Sequence, residues 1–107
     1  MRKNNRYVAN AEVHVFPFPE RRVALKDISL NGCCIHSDDF LEILPNTCLM
    51  IGVTPKDSPD VKNFAIDVKS RWIRTRKNFF ESGFEILASE KSAALEQYIE
   101  FLAQKQR

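Results

Sequence analysis

Two short stretches of this 107-residue chain carry residues able to grip a polar ligand: Arg2-Lys3-Asn4-Asn5-Arg6 and Asp27-Ile28-Ser29-Leu30-Asn31-Gly32. In an extended segment, alternate side chains point to opposite faces. Asp27 and Ser29 therefore share one face, while Ile28 and Leu30 share the other and can be buried. Asn31-Gly32 supplies residues that tolerate positive φ, the signal of a tight hairpin turn. A carboxylate and a hydroxyl then stand together at the lip of a sheet, with bare backbone at Gly32 beside them. Acceptors so placed suit a planar group with several N–H donors, such as the Watson–Crick edge of a guanine. The same residues also read as a plain hairpin whose Asp and Ser satisfy nearby backbone N–H groups.

The first stretch sets Arg2 and Arg6 four residues apart, with Lys3 between them. A guanidinium is planar, permanently charged, and able to bond in pairs to phosphate or to guanine O6 and N7. Two of them on a flexible segment can wrap a small anion and become ordered in doing so. A solvated basic tail is the other reading of such a run.

Other chemistries find less support. The net charge of +2 and the lack of a basic groove argue against a nucleic-acid partner. No nucleophile–base pair, metal-ligand spacing or phosphate-cradling glycine loop is visible, so no catalytic residue, metal or cofactor is expected. His14, Cys34, His36 and Cys48 lack the C-x-x-C or H-x-x-x-H spacing of a metal site. The three cysteines are an odd count, and the adjacent pair Cys33-Cys34 faces opposite ways on a strand, so no disulfide framework is expected. No apolar run approaches the length of about 20 residues that crosses a bilayer, and no apolar segment follows the basic N-terminus. A cytoplasmic chain without membrane insertion is the expectation.

The elements that must position these residues follow from hydrophobic periodicity. Residues 1–7 read as a flexible basic arm, residues 8–87 as barrel strands, and residues 89–105 as a final helix, together one domain. Val8–Phe16 alternates as a half-buried strand that Pro17 and Pro19 end. Between Arg21 and Leu30 the apolar parity flips, from Val23 and Leu25 to Ile28 and Leu30, which predicts a β-bulge near Lys26-Asp27. Cys33–Ser37 returns as a third strand, and Pro45-Asn46 closes the segment that follows it. Cys48–Thr54 is a fourth strand. Phe64–Arg74 is a fifth, with Phe64, Ile66 and Val68 inward and, by the same parity, Trp72. Phe80, Phe84 and Ile86 line a sixth, with a bend at Gly83. Ser89 can cap the helix, whose apolar stripe is Leu95, Tyr98, Ile99 and Leu102. Six short strands and one amphipathic helix make a small, mainly β, antiparallel barrel with the helix packed on it.

Arg-x-x-x-Arg at 2–6 followed by Asp-x-Ser-x-x-Gly at 27–32 on such a barrel resembles the PilZ domain family of bacterial cyclic di-GMP receptors. The resemblance spans arm, strands and closing helix. It implies that Arg2 and Arg6 grip the ligand's phosphates and guanine Hoogsteen edges. Asp27 would accept from a guanine N1–H and amino group, Ser29 would add a polar contact, and Gly32 would keep the floor open. Trp72 aligns with a position that in some members lies beside the nucleotide; barrel core is its alternative role. Arg74 adds positive charge at the same rim. The implied protein is a signal receptor without catalysis, a monomer or weak homodimer, which changes its surface for a downstream protein when the arm closes on ligand. The alternative within the family is an adaptor that binds no nucleotide, with Phe16-Pro17-Phe18-Pro19 as its docking patch.

Overall fold

The structure, a computed structural model, describes residues 5–16, 18–58, 60–87 and 92–106. Six antiparallel strands precede one helix: β1 (Tyr7–Phe16), β2 (Phe18–Ile28), β3 (Gly32–Ser37), β4 (Cys48–Pro55), β5 (Phe64–Thr75), β6 (Phe80–Ile86) and α1 (Ser92–Lys105). The strands close into a barrel in the order β1-β2-β3-β6-β5-β4, with β4 pairing back onto β1. Closure gives each of these six strands a paired neighbour on both sides.

The expected elements are all present, with shifted ends. β2 begins at Phe18 rather than Arg21, because Val15 pairs with Phe18 directly across the corner. Pro19 therefore falls within β2, one residue past its start. β2 also stops at Ile28, two residues short of Leu30. Tyr7 belongs to β1 and not to the arm. Ser89, the expected cap, lies outside the described residues, as do Arg2 and Lys3.

Period-two alternation fills the barrel. Ala11, Val13 and Val15 of β1 meet Val23, Leu25 and Ile28 of β2, Cys33 and Ile35 of β3, Ile51 and Val53 of β4, Ile66 and Val68 of β5, and Phe84 of β6. Leu41, from the irregular segment after β3, joins the same core while its neighbours Phe40 and Leu44 stay exposed. The helix contributes Leu95, Tyr98 and Leu102, all buried, at helical spacing. Tyr98 also packs against Phe64, with ring centres 6.0 Å apart, and donates its hydroxyl to Asp57 Oδ1 at 2.9 Å. Asp57 Oδ2 in turn accepts the Asn10 amide at 3.1 Å, so one carboxylate ties α1, β1 and the β4–β5 connection together. Burial and this hydrogen bond both push the Tyr98 hydroxyl well above the ordinary range.

Asn46 is the one described non-glycine residue with positive φ, at 63°. It follows Pro45 in the turn expected there, and Asn tolerates that conformation.

Candidate functional site

The β2 bulge sits where the parity flip places it. Leu25 pairs with Ile35, and two residues on, Asp27 pairs with Cys34, the next residue along β3 in the antiparallel direction. One residue of β2 is thus extra, and the flip lets both Leu25 and Ile28 face the core while Asp27 faces outward. Its carboxylate accepts Arg6 Nη1 at 2.9 Å, with Asp27 24% and Arg6 40% exposed. The arm's second arginine is therefore docked on the barrel, where the unpatterned basic sequence of residues 1–7 read as flexible. An ion pair this exposed contributes about 0–1 kcal/mol, so a ligand can exchange it at small cost.

Gly32 does not use the positive φ that the Asn31-Gly32 pair allows. Among the described residues no glycine has positive φ, and three residues, Ser29, Leu30 and Asn31, connect β2 to β3 instead of a tight two-residue turn. What Gly32 supplies is the lack of a side chain. A Cβ there would lie 2.9 Å from the Phe84 carbonyl oxygen and 3.0 Å from Arg6 Nη2. Backbone on one side and guanidinium on the other leave room only for hydrogen.

Ser29 follows the plain-hairpin alternative and serves the backbone of its own turn. It is buried, and its Oγ accepts the amides of Asn31 (3.2 Å) and Gly32 (3.1 Å) while lying 3.3 Å from the Gly32 carbonyl as donor. The Ser29 amide bonds the same carbonyl at 2.8 Å, and Ile86 donates to the Asn31 carbonyl at 2.8 Å. Once the chain leaves the pleat at Ile28, strand alternation no longer governs it. The hydroxyl ties the turn shut instead of standing beside Asp27, and Leu30 swings outward, 41% exposed.

Trp72 is not core. In β5, Ser70 pairs with Phe84, but Trp72 pairs with Gly83, the next residue, so a second bulge reverses the parity. The indole lies outside the barrel, 39% exposed, directly over Gly83, where a Cβ would come 2.5 Å from its Cζ2 and Nε1. Gly83 is thus the seat of the ring. The Arg74 guanidinium carbon lies 4.6 Å from the Trp72 ring centre, a cation–π contact. Because Asp27 pairs with Cys34, Cys34 with Gly83 and Gly83 with Trp72, these four form one row across β2, β3, β6 and β5 on the outer surface. At the usual strand spacing the row is about 14 Å long. An ion pair stands at one end and a stacked indole at the other, with the buried Cys34 and Gly83 between them.

Charge surrounds that row. Next to it, the buried Glu81 carboxylate accepts Lys26 Nζ at 2.5 Å and Arg76 Nε at 2.7 Å. The Lys26 hydrogen bond, then that of Arg76, holds the Glu81 carboxyl below its ordinary value, and the same bond raises Lys26. Arg71 pairs with Glu85, which lies opposite Gly32. Burial, then the Asp27 carboxylate, pushes the Cys34 thiol up to about 11, and burial pushes Cys33 up to about 12. Neither is a thiolate near neutral pH, so neither is a ready nucleophile. Among the described residues no three His, Cys, Asp or Glu gather as a metal site would need. No described helix is long and apolar enough to cross a membrane.

The structure therefore brings Arg6, Asp27 and Gly32 together, gives Ser29 to their turn, and sets Trp72 across the same face. Two features escaped sequence reasoning. The seat at Gly83 had a signal, since glycine inside a strand marks close approach as often as a bend. The Lys26–Glu81–Arg76 cluster had none, because its members meet only through barrel register.

Comparison with protein-family models finds no match to this sequence, and comparison with curated proteins finds none either. Solved structures do match the fold. The Bacillus subtilis inhibitor of motility (MotI/DgrA) aligns over 99% of this chain with a TM-score of 0.83 and 16% identity, and the match spans about half (51%) of that chain. The PilZ domain of YcgR from Escherichia coli, solved with c-di-GMP, aligns over 99% of this chain and 94% of its own with a TM-score of 0.74 and 19% identity.

Proposed function

The chain has a PilZ-like fold, and on that premise we propose that it is a cyclic di-GMP receptor without catalysis of its own. The observation that carries this reading is the Arg6–Asp27 ion pair packed against Gly32, at one end of an outer face that ends in Trp72. Arg6 leaves Asp27 for a ligand phosphate or a guanine Hoogsteen edge, and Asp27 accepts from the guanine N1–H and amino group. Arg2 adds a second guanidinium. Ser29 serves through the turn that fixes Gly32, and Trp72 with Arg74 offers a flat, cationic wall for a purine. The ligand's double negative charge suits a face where Arg6, Lys26, Arg71, Arg74 and Arg76 outnumber Asp27, Glu81 and Glu85. The receptor acts in the bacterial cytoplasm by presenting a changed surface to a protein partner.

Calorimetric titration of cyclic di-GMP into wild type, Arg6→Ala and Asp27→Ala tests it. Wild type releases or absorbs heat, and each variant weakens binding by at least about tenfold, about 1.4 kcal/mol. No heat with wild type, or equal affinity in all three, ends the proposal. An adaptor that binds no nucleotide is the second reading, favoured by Phe16 and Met50, which pair across β1 and β4 on the outer surface and are 44% and 46% exposed. Partner capture indifferent to nucleotide supports that reading.

A further inference from the structure

Leu30 is held in an unusual position. The turn carrying it is fixed by the Ser29 hydroxyl on two amides, by the Ser29 amide on the Gly32 carbonyl, and by Ile86 on the Asn31 carbonyl. A rigid turn that points a leucine outward is a preformed apolar knob, and ordering it again on binding costs little. Beside it runs a flank of α1. The buried stripe Leu95, Tyr98 and Leu102 faces the core, while Ile99 and Ala103 lie along its edge with Glu96 and Glu100 as the outer rim. Leu30, Ile99, Ala103, Glu96 and Glu100 line a groove of about 300 Å³ between turn and helix. Its floor is apolar and its charged rim is acidic. Glu96 and Glu100 are four residues apart, one helical turn, which is also the spacing of neighbouring side chains on a facing helix.

We propose that this groove docks a cationic amphipathic helix of a partner protein, its leucines over Leu30, Ile99 and Ala103 and its lysines or arginines against Glu96 and Glu100. The groove is also wired to the site. Leu30 lies between Asp27 and Gly32 in the chain, and Val8 pairs with Asp27. Gln106, just past the end of α1, donates its side-chain Nε2 to the Val8 carbonyl at 2.5 Å and accepts the Val8 amide on Oε1 at 3.1 Å. Val8 is two residues from Arg6, so drawing Arg6 from Asp27 onto a nucleotide pulls on the strand to which the helix is pinned. This coupling rests on the receptor reading above; the groove itself does not.

The probe is a fluorescein-labelled leucine–lysine peptide patterned as an amphipathic helix, with a leucine–glutamate peptide of the same pattern as its counterpart. Titrated without nucleotide, the lysine peptide binds and shifts the amide resonances of Leu30, Ile99 and Ala103. Reversal of the rim in a Glu96→Lys, Glu100→Lys double variant, or Leu30→Gln, weakens it by about tenfold, the former more strongly at low salt. Equal binding by the glutamate peptide, shifts confined to another face, or indifference to these variants overturns the groove. Resonance mapping on wild type decides the matter even if a variant folds poorly. Repeating the titration with cyclic di-GMP present changes the peptide's affinity. An unchanged affinity, with nucleotide binding verified by calorimetry, overturns the coupling and leaves the receptor reading standing.

Discussion

Arg6 and Asp27 occupy each other, so the residues proposed to hold the ligand are hydrogen-bonded to one another. The pair is exposed enough that its loss changes stability little, which separates folding from binding in the alanine variants. Gly32 behaves differently. A methyl there meets the Phe84 carbonyl at 2.9 Å, and a paired strand cannot yield cheaply. Gly32→Ala is therefore expected to cost about 1–3 kcal/mol and to lower the melting temperature in a calorimetric scan, while displacing Arg6. An unchanged melting temperature would show that the close approach is not real. Glu81 supplies a pH-dependent contribution. Its carboxyl is held below the ordinary 4.5 when folded, so its stabilisation is full above that value and disappears as pH falls through the depressed one. Glu81→Gln should flatten the acid limb of the stability–pH curve below about pH 4.5, measured by denaturant unfolding.

At the scale of elements, both functional ends of the row depend on bulges. The one in β2 was legible because Val23 and Leu25 on one parity, then Ile28 on the other, cannot all face inward along a regular strand. The one in β5 left the same trace, with Ile66 and Val68 even and Ile73 odd, but Trp72 is itself apolar and even, which hid the break. Leu30 misled for a related reason: alternation predicts a face only while the strand lasts, and Ser29 ends it. The Asn-Gly pair pointed to positive φ, yet the Ser29 side chain closes a longer turn that needs none. The helix was read from its stripe, and Tyr98 holds it through Asp57. Tyr98→Phe should cost about 1 kcal/mol by loss of that hydrogen bond, seen as a lower urea midpoint with the fold unchanged. No change in midpoint would mean that the apolar stripe alone seats α1.

Across the whole molecule, the barrel and its closing helix were readable because six alternating segments and one stripe leave few ways to bury 44% hydrophobic residues in one core. The shape of the face was not readable. That Asp27, Cys34, Gly83 and Trp72 align depends on cross-strand register, which a parity argument cannot supply. The same register makes the chain's single tryptophan a reporter of the site. Cyclic di-GMP should quench or shift its emission in wild type, and Asp27→Ala should move that titration to higher concentration. Emission indifferent to bound nucleotide would take Trp72 out of the site. The exchange of partners by Arg6 is tested most directly by a crystal structure of the protein with cyclic di-GMP. The account predicts the Arg6 guanidinium on a phosphate or on a guanine Hoogsteen edge, with Asp27 on the N1–H and amino group of a guanine. Arg6 still bonded to Asp27, with the nucleotide seated on another face, would contradict it.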